Sequence, residues 1–83
     1  MPNKILVTGG AGYIGSHTVV NLLNDGKEIV IFDNLENGHI ETVNSLKQIG
    51  NVEFVKGDLR NLDDIEQVFK NYRIDAVVHF AAF

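Results

Sequence analysis

A glycine-rich turn follows the apolar run Lys4–Thr8, with three glycines at three-residue spacing: Gly9, Gly12 and Gly15. Apolar residues recur at helical spacing directly after this turn, so it joins a predicted strand to a predicted helix. Glycine permits positive φ and, without a side chain, lets a pyrophosphate approach the backbone. The first helical amides, those of Tyr13 and Ile14, lack intrahelical acceptors and favour an anion. The pattern predicts a dinucleotide phosphate site, and a tight turn with incidental glycines is the alternative.

Two aspartates follow predicted strands and could bind the rest of such a nucleotide. Asp33 ends the second predicted strand, where its carboxylate can accept hydrogen bonds from both ribose hydroxyls and repel a 2′-phosphate. Residues 34–36 include no arginine that would reverse this preference. The cofactor is therefore predicted to be NAD rather than NADP, although an aspartate that merely starts a turn is the alternative. Asp58 follows the third strand and could accept from the adenine amino group, or could be an ordinary loop aspartate.

Other reactive side chains do not form a recognisable catalytic or metal site. The three histidines have no ligand-like spacing and the chain has no cysteine, so no metal site is predicted at His17, His39 or His79. Asp63 and Asp64 lie in the first turn of a predicted helix, where their charge offsets the helix dipole, and a solvated cap is expected. Neither Tyr13 nor Tyr72 has a lysine four residues later that would lower its pKa. No catalytic residue is predicted in this chain.

Four strand-like runs alternate with three helical patterns and would position these residues. The strands are predicted at 4–8, 28–32, 52–55 and 75–79, with residues 34–38 as a loop. The helices are predicted at 13–25, ending at Gly26 in a left-handed cap, at 39–49, and from an Asn61 cap to Tyr72. The apolar residues of the third helix are predicted on one face: Leu62, Ile65, Phe69 and Tyr72. The order β-α-β-α-β-α-β indicates an α/β fold with a parallel sheet. We expect the first half of a Rossmann-type doubly wound parallel sheet, truncated after the fourth strand.

The amino-acid composition argues against nucleic acid and membranes as partners of this chain. The chain has 83 residues and a net charge of −4, which excludes a basic surface for nucleic acid or anionic lipid. Without cysteine there is no disulfide, and no segment has the length of a signal-peptide core or a membrane span, so we expect a cytoplasmic protein and no membrane partner. The fourth strand would have an open edge, through which copies could self-associate at Asp75–His79.

Four segments together carry a family resemblance. The run Thr8–His17 resembles the TGxxGxxG cofactor motif of extended short-chain dehydrogenases/reductases. Three further segments, 33–39, 57–61 and 78–82, are similar within that superfamily to the UDP-glucose 4-epimerase family, and the resemblance covers the whole chain. Sister enzymes, such as a dTDP-glucose 4,6-dehydratase or a uronate decarboxylase, and a non-catalytic NAD-binding, self-assembling module are the alternatives.

The resemblance implies a role for each cofactor-binding residue. The amides of Tyr13 and Ile14 would hold the NAD pyrophosphate. The adenosine ribose would be surrounded by Asp33, Asn34, Leu35, Glu36, Asn37 and Gly38. The adenine would contact Asp58 and Leu59. The path towards nicotinamide would be lined by Phe80, Ala81, Ala82 and Phe83.

The resemblance also implies an activity that this chain would share only in part. Enzymes of the family bind NAD tightly, oxidise C4 of a nucleotide-sugar hexose to a ketone and return the hydride to the other face. Their catalytic tyrosine and lysine, and the sugar-nucleotide pocket, lie downstream of position 83. Residues 1–83 are therefore expected to be a partial NAD-binding Rossmann domain that is inactive alone and binds NAD weakly or not at all. The parent is expected to be a homodimer with a nucleotide-sugar substrate.

Overall fold

A computed structural model describes residues 4–9, 13–35 and 39–80. Within these ranges, four strands alternate with three helices. The strands are β1 (Lys4–Thr8), β2 (Glu28–Asp33), β3 (Val52–Lys56) and β4 (Ile74–His79), and the helices are α1 (Tyr13–Asn24), α2 (Ile40–Lys47) and α3 (Leu62–Asn71). The predicted order of elements is confirmed, and no end differs from the prediction by more than two residues.

The strands form one parallel sheet in the order β3-β2-β1-β4. These are the first four strands of the doubly wound order, as predicted. The register aligns Thr8 with Phe32 on one side and with His79 on the other, and Asp33 with Lys56. The carboxyl ends of all four strands therefore lie along the same edge of the sheet, which we call the carboxyl edge.

Helices cover both faces of the central strands. On the face of α1 and α2, the buried cluster consists of Val7, Val19, Leu23, Ile29, Ile31, Leu46 and Val52. On the face of α3, it consists of Leu6, Val30, Phe32 and Val68. Successive residues of β1 and β2 point into opposite clusters, which explains why these strands are continuous apolar runs instead of alternating ones.

Only some of the apolar side chains predicted on one face of α3 pack against the sheet. Ile65 and Tyr72 pack against the buried cluster around Val68, as expected. Leu62 and Phe69, predicted on the same face, are instead 67% and 49% exposed. Phe69 lines an open groove of about 260 Å³ that residues of α3 and β4 both border.

The edge position of β4 is as predicted for the part of the chain that the structure describes. β4 pairs with β1, and Val77 in its middle is 52% exposed. Self-association through this edge stays a prediction. No helix among the described residues is long and apolar enough to span a membrane.

The predicted helix ends at Gly26 and Asn61 are confirmed. Gly26 has φ 81°, and the amides of Gly26 and Lys27 donate to the carbonyls of Leu23 and Leu22, so the last turn of α1 is closed by a left-handed glycine. The Asn61 side chain accepts from the amides of residues 63 and 64 at 3.0 and 3.4 Å and caps α3.

Candidate dinucleotide-binding site

The glycine turn joins β1 to α1 at the carboxyl edge. Gly9 has φ 77°, a conformation that glycine adopts without strain, and its amide donates to the carbonyl of Phe32 on β2 at 3.0 Å. Tyr13 and Ile14 are the first residues of α1, so their amides belong to the helix N-terminus that has no intrahelical acceptors. Gly15 is buried within α1. Gly12 lies outside the described residues, and the predicted strand and helix lie on either side of it in the expected order.

Asp33 ends β2 and fixes the start of the loop that follows. This residue is 8% exposed, its Oδ1 accepts from the Leu35 amide at 2.7 Å, and its carbonyl accepts from the Gly57 amide at 3.1 Å. Leu35 has φ 66°, the only positive φ of a non-glycine residue in the described segments. The bond from Asp33 stabilises this left-handed residue, so the aspartate does start a turn, the alternative considered from sequence. Asn34 follows Asp33 directly. Glu36, Asn37 and Gly38 lie outside the description.

The segment after β3 lies against the end of β2 because Gly57 has no side chain. A Cβ at Gly57 would lie 2.5 Å from the ring of Phe32. The next residue, Asp58, is held through its backbone: its amide donates to Asp64 Oδ2 at 3.0 Å, and its carbonyl accepts from the Asn61 amide at 2.9 Å. Asp33 and Asp58 are thereby brought to the same corner of the sheet.

The expectation that Asp63 and Asp64 both form a solvated cap is wrong for Asp64. Asp63 is exposed, but Asp64 is partly buried and accepts the hydrogen bond from the Asp58 amide. The chain after Gly57 curves back over the start of α3, which brings a donor to the Asp64 carboxylate in place of water. Sequence reasoning missed Gly57, Arg60 and Asp64 as site residues, although all three belong to the segment around the predicted Asp58.

Arg60 binds the Asp58 carboxylate with its backbone and its side chain. The Arg60 amide and Nε donate to Oδ1 at 2.8 and 3.0 Å, and Nη2 donates to Oδ2 at 2.7 Å. These bonds, led by those of the side chain, lower the pKa of Asp58 from 3.8 to about 2. At neutral pH the carboxylate is therefore ionised and can only accept hydrogen bonds. Leu59 lines the groove beside α3.

A second unpredicted contact joins β1 to β4 beside the glycine turn. Thr8 is buried, and its Oγ1 lies 2.6 Å from Nδ1 of His79, while the Phe80 amide donates to the Thr8 carbonyl at 2.8 Å. These bonds hold Phe80 beside the end of β1, and its predicted place on the path towards nicotinamide stays a prediction. Ala81, Ala82 and Phe83 lie outside the described residues. The pairing of Thr8 with His79 could have been found only by predicting the strand order and register.

The carboxyl edge thus brings together groups that suit nucleotide binding. The helix N-terminus provides amide donors, and Asp33 and Asp58 provide acceptors at a neighbouring corner. Across the residues that could be searched, no group of three or more histidine, aspartate or glutamate side chains could hold a metal ion. The arrangement supplies hydrogen bonds and charge for holding a ligand.

Comparisons with known proteins agree with the fold. Residues 6–83 match the protein family described as GDP-mannose 4,6 dehydratase. The chain is 52% identical over 79 residues to the UDP-glucose 4-epimerase of Bacillus subtilis, covering 93% of this chain and 23% of that protein. The crystal structure of the UDP-glucose 4-epimerase of Bifidobacterium longum in complex with NAD+ and UDP has a TM-score of 0.91 and 38% identity, over 98% of this chain and 25% of that one.

A solved structure with a different activity is nearly as similar. The dTDP-glucose 4,6-dehydratase of Bacillus anthracis, in complex with NAD, has a TM-score of 0.86 and 39% identity, over 98% of this chain and 27% of that one. The chain spans about a quarter of the length of each of these three relatives.

Proposed function

Because this chain belongs to the family described as GDP-mannose 4,6 dehydratase, within the extended short-chain dehydrogenases/reductases, we propose that it is the NAD-binding portion of a UDP-glucose 4-epimerase. Such an enzyme interconverts UDP-glucose and UDP-galactose by transient oxidation at C4 of the hexose. The B. subtilis and B. longum epimerases support the proposal through sequence and fold, respectively. The observation that carries the NAD-binding part of the proposal is the placement of Asp33 and Asp58 at one corner of the carboxyl edge.

The described residues fit the adenosine and pyrophosphate parts of NAD. Gly9 allows the backbone to turn sharply before α1, and the amides of Tyr13 and Ile14 would donate to pyrophosphate oxygens. Bound NAD would supply the acceptor for the hydride removed from C4 of the sugar. The negative charge of the pyrophosphate suits the positive end of the α1 dipole.

Asp33 and Asp58 would select the nucleotide. The Asp33 carboxylate would accept from the ribose hydroxyls, with Asn34, Leu35, Glu36, Asn37 and Gly38 around the ribose, and its charge would exclude the 2′-phosphate of NADP. Asp58, with Leu59, would contact the adenine and accept from its amino group. Phe80, Ala81, Ala82 and Phe83 would line the path towards nicotinamide.

The remaining parts of the enzyme are proposed to belong to a longer protein. The catalytic tyrosine and lysine and the sugar-nucleotide pocket are assigned by resemblance to sequence beyond residue 83, so the 83-residue chain is proposed to be inactive alone and to bind NAD only weakly, through the adenosine and pyrophosphate parts. The nucleotide-sugar substrate, the homodimeric parent and the cytoplasmic location stay predictions.

A nucleotide-sugar 4,6-dehydratase is the second candidate. The B. anthracis dehydratase, at a TM-score of 0.86, favours it because its fold and NAD ligand are compatible with the same half-site. The relatives at about 50% sequence identity named as UDP-glucose 4-epimerases favour the first candidate.

Two chimeras test the proposal. In one, this chain replaces the matching N-terminal segment of the B. subtilis epimerase, and in the other that of the B. anthracis dehydratase. We expect the epimerase chimera to purify with NAD and to convert UDP-galactose to UDP-glucose, because the replaced segment is 52% identical to this chain. An Asp33→Ala version is the matched control and should lose most of the NAD. A folded epimerase chimera without NAD, or activity of the dehydratase chimera alone, would contradict the proposal.

A further inference from the structure

The Asp58 carboxylate is oriented by one neighbouring side chain. Arg60 donates to both carboxylate oxygens, and its backbone amide adds a second bond to Oδ1. Oδ1 thus accepts bonds of 2.8 and 3.0 Å, whereas Oδ2 accepts one of 2.7 Å and a longer one of 3.2 Å from Nε. Nε is shared and lies nearer Oδ1, so the three N–H groups of Arg60 fill both acceptor positions of Oδ1 and one of Oδ2; among the described residues, the remaining acceptor position is on Oδ2.

We propose that Arg60 determines the base selectivity of the nucleotide site by holding the Asp58 carboxylate in one orientation, with Oδ2 as the acceptor for a purine amino group. This inference rests on the proposed function and adds to it a residue that contacts the base only through Asp58. The guanidinium of Arg60 is planar and donates from Nε and Nη2 side by side. Two parallel donors fix the plane of the carboxylate, whereas a point charge such as an ammonium group would leave it free to rotate.

The preferred base follows from the chemistry of the ionised Asp58 carboxylate, which accepts hydrogen bonds but cannot donate them. Adenine presents an amino group at C6, which can donate to Oδ2. Hypoxanthine presents a carbonyl oxygen at the same position, and two acceptors facing each other form no hydrogen bond. A site built around such an acceptor discriminates strongly against the ligand that lacks the donor. If the carboxylate could rotate, it would lose rotational freedom on accepting from adenine. This entropic cost would weaken adenine binding and so reduce the preference over hypoxanthine.

The test uses the 83-residue chain, because the residues proposed to hold adenosine all precede residue 83. Titrations with AMP and with IMP, followed by amide chemical shifts in NMR spectra, give both dissociation constants even when binding is weak. We expect AMP to bind about tenfold more tightly than IMP, since hydrogen bonds to a charged acceptor are stronger than neutral ones. Arg60→Met should reduce this preference to about threefold or less, mainly by weakening AMP.

The ratio of the two constants separates positioning from folding. A change in global stability affects both ligands equally, because both bind the same folded state, and so cancels in the ratio. Arg60 has a side chain that is 67% exposed, so its replacement should leave the fold intact. Arg73→Met is the matched control. Arg73 directly precedes β4, so this change removes the same charge at the amino ends of the strands, away from the carboxyl edge. The preference for AMP over IMP should keep its original value.

The outcomes distinguish this inference from the proposed function. If the chain prefers AMP but Arg60→Met keeps the full preference, the inference is wrong while the proposed function stands. If AMP and IMP bind equally well to the unmodified chain, Asp58 does not read the base and the inference is also wrong. If neither nucleotide perturbs the carboxyl edge, the proposed function itself fails.

Discussion

Replacement of Gly57 by alanine tests how the corner that holds Asp33 and Asp58 is built. A Cβ at this position would lie 2.5 and 2.6 Å from two ring atoms of Phe32 and 3.2 Å from Cβ of Asp64. Phe32 is only 3% exposed, so its ring cannot turn away without displacing the cluster around it. Gly57 has no positive φ, so its backbone conformation is also open to alanine. The clash between the added Cβ and its neighbours is therefore the only expected cause of destabilisation.

The magnitude follows from two opposing effects. Overpacking a filled core costs about 1–3 kcal/mol, and replacing glycine by alanine returns about 0.4–1 kcal/mol by restricting the unfolded chain. Gly57→Ala should therefore lower the free energy of unfolding by about 1–2 kcal/mol in urea titrations followed by circular dichroism. Because the clash also pushes Asp58 away from the edge, AMP should bind more weakly.

A double-mutant cycle isolates the clash. Phe32→Leu removes the ring atoms that the added Cβ would meet, so Gly57→Ala should cost about 0.5 kcal/mol or less in that background. Gly26→Ala is the matched control, because Gly26 has φ 81° and nothing within 4 Å of an added Cβ. Its cost is conformational, about 1 kcal/mol, and should be the same in both backgrounds. If Gly57→Ala costs as much in the Phe32→Leu background as in the unmodified chain, the steric argument is refuted.

Two further predictions concern the same loop and helix. Asn61→Ala should lower the free energy of unfolding by about 1 kcal/mol, because it removes the cap of α3, whereas the exposed Asn71→Ala should change it by less than about 0.5 kcal/mol; equal effects in urea titrations would contradict the capping role. The Asp58 carboxyl should titrate in carbon-detected NMR with a midpoint of about 2, and Arg60→Met should move this midpoint towards 3.8. Since the folded pKa lies below the usual value, the Asp58–Arg60 pair stabilises the fold fully above about pH 5 and loses that effect as the pH falls through about 2. An unchanged midpoint in the variant would show that Arg60 is not the cause.

The spacing of apolar residues, together with the glycines and the asparagine at the ends of elements, was sufficient to predict the strands and helices. The apolar run of β1 ends at the glycine turn, α1 ends at Gly26, and α3 begins after Asn61, all as predicted. These signals are local: each depends on residues within one or two turns of chain. The parallel sheet followed from the alternation of strands and helices, because parallel neighbours need a crossover connection.

The contacts that shape the site could not be predicted in the same way. Thr8 and His79 are 71 positions apart along the chain, so their contact depends on β1 and β4 being neighbours in register. Leu35 has a left-handed backbone that its own propensity disfavours, and the carboxylate of Asp33 stabilises it. The acceptor role of Asp64 depends on how the chain curves after Gly57. Local spacing contains none of this information.

The packing of the helix surfaces was predicted only in part. Helical spacing grouped Leu62 and Phe69 with the buried side of α3, but both are largely exposed. Spacing gives the direction of a side chain around the helix axis. It does not show which side chains of that face meet another element, and Phe69 borders the open groove beside β4 instead.

The most direct test of the central claim is to locate NAD on this chain. Amide shifts of the 83-residue chain should be recorded during titration with NAD to high millimolar concentration. We predict saturable shifts at Gly9, Ile14, Leu35 and Asp58, with a dissociation constant on the order of 1 mM because only the adenosine and pyrophosphate parts are held. Saturable shifts centred instead on the opposite edge of the sheet, or no shifts at any concentration reached, would contradict the claim.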